Sequence, residues 1–328
     1  MEYRRLGKTG MKVSEVSLGT WQVGGGWKET FDDGVAEKIL NTAIDLGVNF
    51  IDTADVYSGG KSEEAVGRVV RSRRDEVFVA TKCGRRLQPH DSSQYSPEAL
   101  RGFVEDSLRN SGLERLDLIQ LHCPPTEVYY RPEIFELFDD LKREGKIANL
   151  GVSVEKVEEG LKAIEYPNVT TVQIIFNMFR QRPAELFFRE AERRDVGVIV
   201  RVPLASGLLS GKLSRDTTFD EGDHRHFNRN GAAFDRGETF AGIDYETGLA
   251  AVDELKRVVP GDFTLAQYAL RWILMFDQVS CVIPGASRVE QAKDNVAAAA
   301  IPPLSGELMD AVREVYERHI KPQVHQRW

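Results

Sequence analysis

Eight times along the chain a short run of β-branched and apolar residues is followed by a longer segment with the apolar spacing of a helix. The short runs fall at 16–18, 48–51, 77–80, 116–121, 147–152, 171–176, 196–202 and 280–283, and the helical segments at 35–46, 63–70, 97–110, 132–143, 154–164, 183–194, 264–276 and 289–299. Strands that alternate with helices pair in parallel, because each crossover helix returns the chain to the same end of the sheet and covers one of its faces. Eight such units are the number that closes into a (β/α)8, or TIM, barrel, and 328 residues suit that architecture as a single domain. Residues 1–14 place Gly7-Lys8-Thr9-Gly10 between two short extended runs, which reads as a β-hairpin ahead of the first barrel strand. The Gly-Lys-Thr is not a phosphate loop, since Glu2 stands where that motif needs its first glycine. The polar stretch 206–247 is too long for a neutral connection and is expected to lie over the barrel mouth with extra loops and helices.

Charge and cysteine usage exclude several functions. A formal net charge of −8 argues against nucleic acid or an anionic membrane as partner, because both reward clustered Lys and Arg. Cys83, Cys123 and Cys281 lie far apart with no CxxC spacing, so neither a disulfide framework nor a metal site is expected. Charged Glu2, Arg4 and Arg5 follow Met1, and no stretch nears the ~18 apolar residues of a membrane span, so a soluble, cytoplasmic protein is expected.

In a parallel barrel the chemistry gathers at the C-terminal ends of the strands. There the sequence sets Asp52 and Tyr57 after the second strand, Lys82 after the third and His122 after the fourth. These four suit the reduction of a carbonyl, which leaves an alkoxide that must be protonated while its charge is stabilised. Tyrosine, with an ordinary pKa of about 10, is a weak acid, but an ammonium ~4 Å away contributes roughly 4 kcal/mol at an effective dielectric of about 20. That is about three pKa units before burial offsets it, so Lys82 is expected to bring Tyr57 toward working pH. Asp52 would keep Lys82 charged, and His122 would donate a hydrogen bond to the carbonyl.

Taken together, Tyr3-Arg4-Arg5-Leu6-Gly7, Asn49 to Tyr57, Lys82, Asp117 to His122, Gly151-Val152-Ser153 and Ile283-Pro284-Gly285-Ala286-Ser287 resemble the aldo-keto reductases, and the match runs over nearly the whole chain. The resemblance implies a catalytic tetrad of Asp52, Tyr57, Lys82 and His122 with Tyr57 as general acid. It implies NADP(H) lying extended, with NAD(H) as a weaker second choice, and a small aldehyde or ketone as substrate. It puts Ser153 and Gln173 at the nicotinamide carboxamide, and Pro203, Leu204, Ala205, Ser206, Gly207 and Leu208 around the pyrophosphate. It puts Gly285, Ser287, Arg288, Gln291 and Asn295 at the adenosine end, Arg288 nearest a 2′-phosphate. Gly19, Thr20, Trp21, Asp52, Val202, Lys212 and Ile283 complete the cofactor wall. Two departures stand out: Arg201 occupies a position where many relatives carry an aromatic ring on the nicotinamide, a place a flat guanidinium can also fill, and Val154 follows Ser153 where many have Asn.

Trp21, Trp27, Tyr57, His122, Tyr129 and the neighbouring Tyr130 lie in or beside strand-end loops and could wall a substrate pocket. Arg85 and Arg86, just past the third strand, could hold an acidic substrate group, whereas Cys83 and Cys123 should point away from the mouth, because successive strand residues face opposite sides. Two other functions compete. Lys82 could act as a Schiff-base nucleophile in an aldolase, a role Asp52 opposes by keeping the amine protonated, and relatives of this barrel include channel β subunits that bind NADP(H) in the service of another protein.

Overall fold

The computed structural model describes residues 1–25 and 30–328; Trp27 lies outside the described residues. A two-stranded antiparallel hairpin, β1 (Tyr3–Arg5) and β2 (Lys12–Ser14), precedes eight parallel strands: β3 (Leu18–Gly19), β4 (Phe50–Asp52), β5 (Phe78–Cys83), β6 (Leu116–His122), β7 (Ile147–Ser153), β8 (Val169–Ile175), β9 (Gly197–Arg201) and β10 (Val279–Val282). They pair in chain order from β3 to β10. Backbone bonds around β3, Ser17 N to Val282 O at 2.9 Å and Gly19 N to Pro284 O at 3.1 Å, bring the first strand against the last. The sheet therefore curls into a nearly closed barrel, as the eightfold alternation requires.

The hairpin earns its place at the bottom. Leu6, Met11 and Val13 pack with Phe50, Ala80, Leu118, Ile199, Cys281 and Ile283, so the barrel interior is filled by side chains and stoppered at its N-terminal end. A Cβ on Gly7, which has φ +50°, would stand 2.2 Å from Gly197 N, so only glycine lets the hairpin approach β9 this closely.

Helices α1 (Asp33–Asp45), α2 (Lys61–Ser72), α3 (Pro97–Ser111), α4 (Pro132–Arg143), α5 (Val157–Ala163) and α6 (Phe187–Arg193) follow the strands in turn. Their starts are written locally: Ser96 Oγ accepts from Ala99 N at 3.2 Å ahead of Pro97, whose fixed φ suits a first helical turn. Helix α5 begins later than the spacing suggests. Glu159 accepts hydrogen bonds from the backbone N–H of Glu155 and Lys156 at 3.0 and 3.1 Å, which holds those two residues outside the helix and leaves Glu155 at the barrel mouth.

The stretch 206–247 carries short 3-10 turns, α7 (His224–Phe227) and the start of α8 (Tyr245–Val258). Helices α9 (Leu265–Leu274) and α10 (Val289–Ala297) flank β10, and α11 (Gly306–Val315) and α12 (Lys321–Val324) follow. Helices α7, α8, α11 and α12 add to the eight that the alternation predicts. The apolar faces of two of them, Leu249, Val252 and Leu255 on α8 and Leu308, Val312 and Val315 on α11, join the main core. Among the described residues no helix is long and apolar enough to cross a membrane.

Candidate active site

Three neighbouring strand ends, those of β4, β5 and β6, bring the four residues together as the sequence suggests. Lys82 Nζ, buried to 1 % exposure, forms an ion pair with Asp52 Oδ1, donates to Thr53 O at 2.7 Å and lies 3.3 Å from Tyr57 Oη. Tyr57 reaches it from a 3-10 turn in which Ser58, Gly59 and Gly60 all have positive φ, so the loop doubles back over the strand end. His122 closes the group, its ring set edge-on to that of Tyr57 with centroids 6.0 Å apart.

Asp52 is fixed by more than Lys82. Its Oδ2 accepts from Gln120 Nε2 at 3.0 Å and from Gln173 Nε2 at 2.8 Å. Gln120 lies two residues before His122 on β6 and so faces the same side of the sheet, a signal present in the sequence but not used there. Room for it comes from Gly151 across the register: a Cβ there would stand 3.2 Å from Gln120 Cγ and 2.1 Å from Thr171 Oγ1.

The electrostatics correct one expectation. Burial pushes the Tyr57 phenol up, the Lys82 ammonium pulls it back only in part, and the Asp52 charge adds to the rise, so the phenol sits above its ordinary value. The pull of the Lys82 cation toward neutrality is real, but the loss of water around the phenol is the larger effect. Burial likewise favours loss of the Lys82 proton, but the Asp52 charge and the Tyr57 contact outweigh it, and the amine stays charged. An amine kept protonated in this way lacks the free lone pair that forms an imine, which argues against the aldolase reading. Burial, with Arg85, Lys82 and Arg201 nearby, holds His122 well below the usual imidazole value, so the ring is neutral. Its Nδ1 is buried without a hydrogen-bond partner among the described residues.

The tetrad opens on a cavity of about 1230 Å³, larger than the roughly 300–1,000 Å³ that encloses a drug-sized molecule. Its walls carry Gly19, Thr20 and Trp21 from the end of β3, Gln173 from β8, Arg201 to Leu204 after β9, Ser206, Gly207 and Lys212, and Ile283, Gly285, Ser287, Arg288, Gln291 and Asn295 beyond β10. Val202, Ala205, Ser206 and Gly207 all have positive φ, which folds this segment tightly against the cavity. Arg288 lines it at the N-cap of α10, and Gln291 Oε1 braces the turn below by accepting from Ser287 N at 2.8 Å and lying 3.0 Å from Ser287 Oγ.

Several expected residues lie elsewhere. Ser153 is buried behind the wall, its Oγ 3.6 Å from Cys123 Sγ, and Leu208 belongs to the core; neither lines the cavity. Tyr129 is fully buried in the same core, because the 3-10 turn after β6 tucks it under Tyr166, whereas Tyr130 points out at 66 % exposure beside the Lys162 ammonium. Arg86 pairs with Asp106 on the surface over the Phe103 ring and does not reach the cavity, while Arg85 does. Cys83 packs in the core as expected. Cys123 does not follow the alternation: it sits just past β6 with φ +48°, which turns its side chain back into the mouth, 3.4 Å from Arg201 Nη2.

Two carboxylates missed in the sequence complete the mouth. Glu238, from a 3-10 turn in the stretch 206–247, meets both Arg85 and Arg201, and Glu155 lies beside it. Arg201 also donates to Val154 O at 3.1 Å, so the residue after Ser153 enters the site through its carbonyl and not its side chain. Cys123, Glu155 and Glu238 come within 4.8 Å of one another, but the two guanidiniums already supply the positive charge that a metal would bring.

Known proteins share this fold. Residues 15–317 match the model of the Aldo/keto reductase family. The chain is 30% identical to an uncharacterized oxidoreductase, YqkF, of Bacillus subtilis over 97% of this chain and 99% of that protein. It is 30% identical to the NADH-specific methylglyoxal reductase of Escherichia coli over 89% and 92% of the two chains. The solved structure of the glycerol dehydrogenase AKR11B4 from Gluconobacter oxydans superposes with a TM-score of 0.79 at 31% identity, covering 97% of this chain and 96% of that one. An eight-stranded parallel barrel with this tetrad at its mouth, and a family match over nearly its whole length, make the chain a member of the aldo/keto reductase family.

Proposed function

We propose that this protein reduces aldehydes or ketones to alcohols with NADPH, using Tyr57 as general acid. The observation that carries the reading is the placement of Tyr57 Oη 3.3 Å from a buried Lys82 ammonium and beside a neutral imidazole, at the end of a cavity too large for a small carbonyl compound alone. The cavity's length of wall, from Gln173 past the tightly folded 202–207 segment to Arg288, suits an extended dinucleotide. That cofactor, when bound, supplies the hydride. Tyr57 and the N–H of neutral His122 donate hydrogen bonds to the substrate oxygen, and Tyr57 gives up its proton as negative charge grows there. A phenol raised above its ordinary value is protonated at pH 7 and ready to donate; Lys82 matters afterwards, by stabilising the phenolate left behind. Asp52, held by Gln120 and Gln173, keeps Lys82 charged and in place. The flat Arg201 guanidinium takes the nicotinamide side of the wall.

The direct test is steady NADPH oxidation, followed at 340 nm, with a panel of aldehydes and ketones. Turnover supports the reading; tight NADPH binding with negligible turnover against the whole panel points instead to a nucleotide-binding regulatory protein of the same fold.

Coenzyme choice rests on Arg288, since a relative at 30% identity is named NADH-specific. A guanidinium at a helix start meets a 2′-phosphate together with backbone N–H groups. A hydrogen bond to a charged group is worth roughly 1.5–3 kcal/mol, so Arg288→Ala is expected to weaken NADPH binding about 10- to 100-fold and to leave NADH binding nearly unchanged. Fluorescence titration with both nucleotides decides it: equal losses, or a wild type that binds NADH more tightly, remove Arg288 from this role.

A further inference from the structure

The mouth holds a cluster of charge that carbonyl reduction by itself does not need. Arg85 Nη1 lies 3.2 Å from Glu238 Oε1, and Arg201 Nη1 lies 3.5 Å from Glu238 Oε2, so two guanidiniums share one carboxylate. Burial and the Glu238 charge push the neighbouring Glu155 carboxyl far above its ordinary range, while the guanidiniums keep Glu238 ionised. The other charges around the cluster are Asp235, whose Oδ1 accepts from Gly237 N at 2.7 Å, Arg180, bonded to the Glu155 carbonyl, and Arg225, paired with Asp223. His90 and His122, both held below the usual imidazole value, add none.

Of these guanidiniums, Arg85 is the one with donors to spare at the cavity wall. Arg201 is committed to Val154 O and Cys123 Sγ as well as to Glu238, and Arg180 is fully buried behind the mouth. Arg85 makes a single hydrogen bond among the described residues, to Glu238, and its remaining donors belong to a side chain that lines the cavity with the Phe234 ring 5.5 Å from its guanidinium. A half-buried guanidinium with unused donors favours an anionic partner, and a planar fork matches a carboxylate with two parallel hydrogen bonds. Glu238 already places one carboxylate on this guanidinium.

We infer that Arg85 recognises a carboxylate on the substrate, so that the preferred substrates are aldehydes or ketones carrying a carboxylate at the end remote from the reacting carbonyl. The inference rests on the reductase reading above and names its substrate class. Arg85 is on this account a specificity residue: it touches the substrate but not the reacting atoms.

The test compares kcat/KM, with saturating NADPH, for succinic semialdehyde and for its neutral methyl ester. Wild type is expected to favour the acid at least 10-fold, and Arg85→Gln to lower that ratio by about 10- to 100-fold, the range set by one hydrogen bond between charged groups. Glu238→Gln is expected to move the ratio the other way, because it frees both guanidiniums. A purely structural role would lower the two rates together and leave the ratio alone. Calorimetric titration of the NADP+-loaded protein with 4-hydroxybutanoate provides a readout independent of turnover, with the same 10- to 100-fold weakening expected in Arg85→Gln. Should no carbonyl compound be reduced at all, the reductase reading falls while the titration still decides the role of Arg85. A wild-type ratio near one, an Arg85→Gln protein with unchanged ratio and unchanged binding, or a Glu238→Gln protein whose ratio falls would each overturn the inference.

Discussion

Tyr57→Phe is expected to lower kcat for carbonyl reduction by about 10²- to 10⁴-fold, the range that a positioned general acid contributes, while the Kd for NADPH changes little. The ring and its packing stay, including the edge contact with His122, and only the hydroxyl that faces Lys82 Nζ is lost. Because the fold is preserved, the loss should appear in kcat and leave the thermal midpoint nearly where it was. Stopped-flow single turnovers with NADPH and an aldehyde separate the chemical step from product release. A variant that keeps a near wild-type rate for that step would show that the proton comes from elsewhere, with His122 the next candidate.

Lys82→Met is expected to cost activity and stability together. The lysine is buried against Asp52, so its removal leaves a carboxylate without its cation, and breaking a buried pair in this way costs about 3–5 kcal/mol. A melting temperature lower by several degrees and a loss of at least 10²-fold in kcat are the expected results. The pH profile adds a sign. A general acid donates only while protonated, so activity fades as pH rises through the phenol's value. Lys82 favours the phenolate and holds that value down, so its loss moves the alkaline limb of any residual activity to higher pH. The double variant Asp52→Asn with Lys82→Met removes the orphaned charge and should recover stability without recovering activity. An alkaline limb that stays put in the single variant would mean that Lys82 braces the fold and does not tune Tyr57.

The sequence by itself determined the repeating frame and the tetrad. Eight apolar runs at strand length and the helices between them leave little choice but a parallel barrel, and in a barrel the strand ends must meet at one face. That is why Asp52, Tyr57, Lys82 and His122, up to 70 positions apart, were legible as one group. Local signals of this kind fail where the chain leaves regular alternation. Strand alternation turns Cys123 away from the mouth because it follows His122, but its positive φ breaks the two-residue period and brings it in. Tyr129 looked like a wall of the pocket, and only the turn after β6 decides that it packs inward while Tyr130 goes out.

Tertiary structure alone decided what surrounds the tetrad. Glu238 is more than 150 residues from Arg85 in sequence, and nothing in its neighbours marks it as the carboxylate that two arginines share; the fold of the stretch 206–247 puts it there. The ionisation of Tyr57 is a similar case. The attraction of a lysine could be estimated from the motif, but the cost of losing water depends on how much protein closes over the phenol, and burial proved the larger effect. Spacing along a strand fixes which face a side chain takes, whereas burial and long-range pairing arise only when segments distant in sequence are packed together.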